Sequence, residues 1–277
     1  MYQEDSFRTQ AAVFAHTRSD ESGMEYKMHC HEIYEIYYMI SGNAQYFLEG
    51  EGFTSLSREA LIIIPPGCFH GLKVLDGQEY NRIRLHFDSS QLGEEEQHFL
   101  LAPFEKEWRC FEEQFQLEWH FRSLEDCGSY GKDLQNIAIR ARITSLLTSI
   151  FAIYQNTPAL ARGKEGQVQE ILRYINENIT EPLTLENLAE SFYMSKNHLT
   201  AIFKGATGTT VARYILYKRM ALVRRDLAGG MPAAEAAAKA GFGDYSSFFR
   251  AYKKMFGHSP SQQKGWDMPD MDKSSLV

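Results

Sequence analysis

The 277-residue chain lacks any run of about 18 apolar residues that could cross a bilayer. Its first residues, MYQEDSFRTQ, lack the basic start and apolar core of a signal peptide. The expectation is a cytoplasmic protein with no membrane partner. Cysteine is scarce: four residues, at 30, 68, 110 and 127, form no CxxC pair and no metal-finger spacing. That excludes a disulfide framework and points to buried or free thiols in a reducing compartment. No repeat of short period is present. Basic charge is thin in the first part of the chain, where residues 1–163 hold 14 Lys and Arg against 24 Asp and Glu.

What is present is a soluble globular composition, 44% hydrophobic and 23% charged, with length enough for two domains. Residues 164–266 reverse the charge balance, with 14 Lys and Arg against 9 Asp and Glu, and residues 267–277 form an acidic tail with three Asp and one Lys. An acidic part joined to a basic part means that only the second is suited to a polyanion.

From about Phe7 to Phe87 the texture is β. YEIYYMI, AQYFLEG, FTSL, ALIIIP and NRIRLHF are rich in β-branched and aromatic residues and are separated by SGN, GEG, PPG and DGQ. Strands at this spacing argue for a barrel or sandwich. The stretch HCHEIYEIYYMISG, from His29 to Gly42, reads as one strand, and on it the period of two sends His29, His31 and Glu35 to one face. They could bind a metal, line a pocket for an organic ligand, or decorate a wet sheet face. Arg82, Arg84 and His86 alternate in the same way along NRIRLHF, and would suit a hydroxylated or anionic ligand if their face is the lumen.

After Asp88 the pattern turns helical, through EEEQHF and EKEWRCFEEQFQLEWHF to DLQNIAIRARITSLLTSIFAIYQN. In the last, Leu134, Ile137, Ile143, Leu146, Leu147, Ile150 and Tyr154 approximate a helical stripe, which either packs on its own barrel or meets a second copy. TPALARGKEG, residues 157–166, reads as a linker. Beyond it, Thr184 precedes LENLAESFY, Ser195 can cap KNHLTAIFKG, Pro232 suits the first turn of AAEAAAKA, which Gly241 ends, and Asp244 can cap YSSFFRAYKKMF, which Gly257 ends. A helix, a tight turn and a second helix thus occur twice.

In the second helix of each pair, one face is apolar. Leu199, Ile202 and Phe203 must face a core, which turns Lys196, Asn197, Thr200, Ala201 and Lys204 outward. Phe248, Tyr252, Met255 and Phe256 do the same for Tyr245, Ser246, Phe249, Arg250 and Lys253. Small polar residues and one Arg, with Lys at the edges, match what a DNA major groove accepts, and Phe249 could meet a thymine methyl group.

The segment from about Val168 to Gly265 resembles the DNA-binding domain of AraC-family transcription regulators, through LTLENLAESFYMSKNHLTAIFKGATGTTVARYILYKRM and AGFGDYSSFFRAYKKMFGHSP. The resemblance implies two helix-turn-helix units, joined by a long helix over about Thr210 to Leu227, that place Asn197, Thr200, Ala201 and then Tyr245, Ser246, Phe249, Arg250 in successive major grooves. Two positions depart from the family pattern: Ala201 is short, and SPSQQKG lacks the Tyr-Arg that often follows Ser-Pro. The β-rich part is similar to the cupin barrel. Gly23, His29, His31, Glu35 and Gly42 carry the spacing of its first motif, and PPGCFH resembles the core of its second, although Glu59 and Val74 replace the usual Gly and Asn.

By that resemblance His29, His31, Glu35 and His70 would hold a single divalent metal in a metal-dependent cupin. In a sensor the same groups would contact an organic ligand, joined by Arg84 and His86 if their face of NRIRLHF is the lumen. The expected fold is α+β and multidomain: a cupin-like barrel over 1–90, a helical dimerisation segment and linker over 91–163, an all-α double helix-turn-helix domain over 164–266, and the tail 267–277. The expected function is a promoter-binding regulator, a homodimer controlled by a sugar or other polar metabolite, with RNA polymerase as a further partner if it activates. The rival is a metal-dependent cupin enzyme with an accessory helical domain.

Overall fold

The computed structural model describes residues 2–9, 11–19, 25–49, 52–56, 58–75, 79–105, 110–111, 113–156 and 167–262. Gly23, the linker 157–166 and the tail 267–277 lie outside the described residues. The strands are β1 (Tyr2–Arg8), β2 (Ala12–Ser19), β3 (Glu25–His29), β4 (Tyr34–Ser41), β5 (Ala44–Leu48), β6 (Gly52–Leu56), β7 (Ala60–Ile64), β8 (His70–Val74), β9 (Tyr80–Phe87) and β10 (Cys110–Phe111). They form two antiparallel sheets, ordered β1-β2-β9-β4-β7-β10 and β3-β8-β5-β6.

Between the sheets lies the lumen, filled by Tyr37, Met39, Ile62, Ile64 and Tyr80 from the first and Tyr46, Leu48, Leu72 and Val74 from the second. Because strand side chains alternate, the other face of each sheet also needs a cover. Ile36, Tyr38, Leu61, Ile63, Ile83, Leu85 and Phe87 of the first sheet pack under α1 (Glu94–Leu100), α2 (Glu118–Asp126) and α3 (Lys132–Asn156) in one continuous core. The outer face of the second sheet gives Phe47, with Phe69 from the preceding turn, to the core of the carboxyl-terminal helices.

Those helices are α4 (Gln167–Glu177), α5 (Leu185–Ser191), α6 (Lys196–Thr207), α7 (Val211–Ala228), α8 (Ala233–Lys239) and α9 (Tyr245–Phe256). Thr184, Ser195 and Asp244 cap α5, α6 and α9 through their side chains, each satisfying amides that a helix start leaves open. The turns of the two pairs are built alike. Tyr193 after α5 has φ 54° and Gly241 after α8 has φ 85°. Met194 N bonds Ala189 O and Phe242 N bonds Ala237 O, the six-residue closure of a helix end. Only the second position requires glycine for space, since a Cβ on Gly241 would fall 2.5 Å from the Thr180 carbonyl oxygen.

Several expectations need correction. HCHEIYEIYYMISG is not one strand: β3 ends at His29, residues 30–33 bend, and β4 starts at Tyr34. EKEWRCFEEQFQLEWHF is not helical throughout, because Cys110 and Phe111 pair with Ile62 and Leu61 at the edge of the first sheet, and the helix begins at Glu118. In α3 the buried side is Ile139, Ile143, Leu146, Leu147 and Ile150, while Leu134 and Ile137 are 57% and 67% exposed. The helical segment shares its core with the barrel. By length and composition α3 is apolar enough to cross a membrane, yet that inner side is packed on the sheet.

Candidate effector site and DNA-binding face

The bend at 30–33 brings His29 and His31 together by a route other than strand alternation. His29 stands opposite His70 in the β3–β8 ladder, and their rings are 4.4 Å apart. His31 follows the end of the strand and sits 4.9 Å from His70 and 5.2 Å from His86, centroid to centroid. Glu35 faces the lumen from β4, paired in register with His86 of β9. Its Oε2 lies 2.8 Å from His31 Nε2, 3.0 Å from His86 Nε2 and 3.2 Å from His70 Nε2. Two overlapping groups, His29 with His31 and His70, and His31 with Glu35 and His86, each hold their ligand atoms within 4.8 Å of one another. The four-residue set from the sequence therefore gains His86 as a fifth donor.

The hydrogen bonds behind these rings fix what they present. His31 Nδ1 is 3.0 Å from the Ile33 carbonyl and His70 Nδ1 is 2.9 Å from the Cys68 carbonyl. A carbonyl oxygen only accepts, so these rings carry a proton on Nδ1. Their Nε2 lone pairs then point at the carboxylate oxygen of Glu35, itself an acceptor. Facing acceptors need a positive centre between them, either an added proton or a cation. Burial pushes the His31 imidazole down to about 4, against the raising effect of Glu35, so a second proton there is disfavoured at neutral pH. Burial raises the Glu35 carboxyl, but the charge of His86 and the contacts of all three imidazoles hold it well below the usual range.

Arg82, Arg84 and His86 do face the lumen. They lie on the side of β9 that carries Tyr80, opposite Ile83, Leu85 and Phe87, which belong to the outer core. The Arg82 guanidinium lies 5.8 Å from the Tyr37 ring centre and 5.6 Å from that of Tyr80, whose hydroxyls meet at 2.7 Å. Arg84 Nη2 is 3.8 Å from Glu4 Oε2, which also accepts from Thr17 Oγ1 at 3.1 Å. One end of the lumen is thus imidazole and carboxylate, and the next layer is guanidinium and phenol. Glu4, Thr17 and Tyr37 were not singled out from the sequence, although the alternation in YEIYYMI places Tyr37 on the side of Glu35.

Of the ten residues expected to face DNA, the structure leaves most exposed, with one clear exception. Leu199 and Phe203 are fully buried, and Lys196, Asn197, Ala201 and Lys204 are exposed with Thr200 partly so. Asn197, Thr200, Ala201, Lys204 and Gly205 line a shallow depression on α6. Lys196 Nζ is 2.8 Å from Glu186 Oε1 across the surface. On α9, Phe248 and Tyr252 are buried, while Tyr245, Ser246, Arg250 and Lys253 are exposed. Phe249 is the exception: it is half-buried, packed against the core of the second unit, with the Tyr245 ring 6.3 Å from its own. The helix α7 that joins the units has 18 residues, about 27 Å at the usual rise, near the ~34 Å between successive major grooves on one side of B-DNA.

These features are matched by two family descriptions, an AraC-like ligand binding domain over residues 12–172 and a helix-turn-helix domain over residues 188–264. The chain belongs to the AraC family of DNA-binding transcription regulators, with a cupin-like ligand-binding domain ahead of its helix-turn-helix domain. Among its relatives, the HTH-type transcriptional regulator YfiF of Bacillus subtilis is 22% identical over 244 residues, 84% of this chain and 77% of that protein. The right origin-binding protein of Escherichia coli is 31% identical over 99 residues, 35% of this chain and 34% of its own length, and the probable transcriptional regulator LumQ of Photobacterium leiognathi is 28% identical over 90 residues, 32% and 36%. Apart from YfiF, the chain thus spans only about a third of these relatives. A solved structure of ToxT from Vibrio cholerae is 11% identical, covering 92% of this chain and 97% of the other with a TM-score of 0.45.

Proposed function

We propose that a small polar molecule bound in the barrel controls this regulator, acting on which promoter sites its DNA-binding domains can reach. The observation that carries this reading is the convergence of His29, His31, Glu35, His70, Arg84 and His86 in one lumen. A buried set of acceptors and guanidinium donors suits a hydroxylated or anionic metabolite better than an apolar one. The ligand favours one arrangement of barrel and DNA-binding domain, and the population shifts toward the promoter geometry that arrangement fits. Lys196, Asn197, Thr200, Ala201, Lys204, Tyr245, Ser246, Phe249, Arg250 and Lys253 form the DNA face, with RNA polymerase a further partner where the regulator activates. Native mass spectrometry of the full chain tests the ligand: a retained metabolite absent from a His31→Ala/Arg84→Ala variant supports the reading. If DNA affinity is the same with and without that metabolite, the reading fails.

The working unit in this reading is a homodimer in the cytoplasm. The outer face of α3 carries Leu134, Ile137, Ala141, Ser145, Thr148 and Ala152, an uncharged stripe at helical spacing with two large apolar residues exposed. Leu134→Glu with Ile137→Glu should halve the mass measured by light scattering.

A specific observation favours a second occupant. The Nδ1 protons of His31 and His70 are fixed by carbonyl groups, so their lone pairs and Glu35 converge as a metal's ligands do, with His29 and His86 completing the set. The donor set of imidazoles and one carboxylate fits Zn, Fe, Mn or Ni. Isothermal titration with zinc alone, on wild type and on His70→Ala, tests it: tight binding lost in the variant supports a metal, and no heat from wild type refutes it.

A further inference from the structure

The same two short segments that carry the imidazoles of the barrel site also carry the contacts that fasten the DNA-binding domain to the barrel. In the first, His31 faces the lumen and Glu32 faces the other way, its Oε2 3.5 Å from Arg224 Nη1 on α7. Arg224 in turn stacks its guanidinium 4.8 Å from the ring centre of Phe256, at the end of α9. In the second segment, residues 65–70, His70 faces the lumen while Phe69 packs with Ile171, Ile175, Tyr214 and Ile215 of the helical domain. The segments are tied together, since Gly67 N donates to the His31 carbonyl at 2.6 Å.

Glu49 is the centre of this seam. It is 8% exposed, at the end of β5, and accepts from groups of both domains. Its Oε2 takes the Phe69 amide at 2.6 Å from the barrel. Its Oε1 takes the Tyr214 hydroxyl at 2.5 Å and the Asn176 amide, and Lys218 Nζ lies 3.1 Å from both oxygens. Lys218 also donates to the Gly67 carbonyl at 2.7 Å, so one ammonium of α7 holds the carboxylate and the turn that precedes His70. A buried ion pair of this kind adds little net stability but is costly to break at one partner, which makes it a device for fixing one arrangement. The contact leaves Asn197, Lys204, Arg250 and Lys253 exposed, so it sets the placing of the DNA-binding units without covering their outward faces.

We infer that Glu49 with Lys218, and Glu32 with Arg224, form a latch between the domains, and that occupation of the imidazole site works it through residues 30–33 and 65–70. The latch rests on the reading of the barrel as a sensor for its trigger, but its existence does not. It gives that sensor a route: His31 to Glu32 to Arg224 and α9 on one side, His70 to Phe69 and Gly67 to Lys218 and α7 on the other. Neither route crosses more than two residues of backbone.

The test uses isoleucine methyl resonances of the full chain, with Ile171, Ile175 and Ile215 reporting the seam. Glu49→Gln and Lys218→Met should move these resonances along one line, and the Glu49→Gln/Lys218→Met double variant, which leaves no buried charge without its partner, should lie on that line. His70→Ala, altered only in the barrel, should move the same resonances along the same line, whereas His120→Ala under α3 should not move them. Unmoved resonances in both latch variants would overturn the latch. Movement in those variants with none in His70→Ala would overturn the route from the site. Failure of the sensor reading looks different: the latch variants respond as stated, while no retained metabolite alters DNA affinity.

Discussion

His86 Nε2 lies 3.0 Å from Glu35 Oε2, although 51 positions separate the two residues in the chain. The pair is made by the β4–β9 ladder, where Glu35 and His86 stand opposite one another on the lumen side. It joins the histidines of the 29–31 and 65–70 segments to the arginines further along β9, and so makes one continuous polar site of two groups that look separate in the sequence.

The outward face of α9 should read sequence through Arg250. Arg250→Ala is expected to weaken binding to a selected duplex by about 1–3 kcal/mol and to relax preference at one base pair. Lys204→Ala should weaken binding to all duplexes alike and lessen the salt dependence. Anisotropy titrations on cognate and scrambled DNA at two salt concentrations distinguish them. Equal losses on every sequence from both substitutions would show that Arg250 touches only phosphate.

Gly241→Ala should damage the DNA-binding domain. The added carbon falls 2.5 Å from the Thr180 oxygen, and the backbone there has φ 85°. The two effects together should cost on the order of 1–3 kcal/mol. Thermal unfolding should show a lower Tm for this variant and little change for Gly205→Ala, which meets nothing within 4 Å.

Leu147→Ala should destabilise the barrel as well as α3. Leu147 is fully buried in the core that α3 shares with the outer face of the first sheet. The expected loss is about 2–5 kcal/mol. Denaturant unfolding followed by helix and sheet signals should show both falling in one transition. Loss of helix signal alone would mean that α3 folds as a separate unit.

Acid should weaken the seam between the domains. Burial raises the Glu49 carboxyl, but Lys218, Tyr214 and the Phe69 amide outweigh it and place it below its ordinary value. A carboxyl lowered in the folded state contributes stability above its unfolded pKa, about 4.3, and loses it as pH falls through the folded value. Glu32 also lies in the seam, and burial pushes its carboxyl up to about 7 against the lowering effect of Arg224. The Glu49 effect is therefore read in a Glu32→Gln background, where the interdomain methyl resonances should hold steady from pH 7 to 5 and move as pH falls below the ordinary carboxylate range. With Glu49→Gln added, that movement should be absent.

Much of this was legible in the sequence where the cause is local. Thr184, Ser195 and Asp244 announce helix starts because a capping oxygen acts within three residues, and all three cap as expected. The outward faces of α6 and α9 follow from helical spacing alone. His29, His31 and Glu35 were found by spacing too, but for a partly wrong reason, and His70 through the resemblance of PPGCFH to a cupin motif. A period of two assumes an unbroken strand, and the bend at 30–33 breaks it. In α3, apolar residues at both Leu134 and Leu147 hide which side is inward, since a helix apolar on two faces has no single stripe. Glu49 and Lys218 could not be paired in advance. They are one acid in a turn and one of many bases on a basic helix, 169 positions apart, and only the docked fold makes them neighbours.

The central claim is that events inside the barrel reach the DNA-binding helices. The most direct measurement is an equilibrium titration of wild type and His70→Ala with one duplex selected from random DNA, at one salt concentration, with both proteins shown folded by thermal melting. The account predicts isotherms displaced by at least fivefold, although His70 is buried in the lumen and lies outside the DNA face. Superimposable isotherms would contradict it.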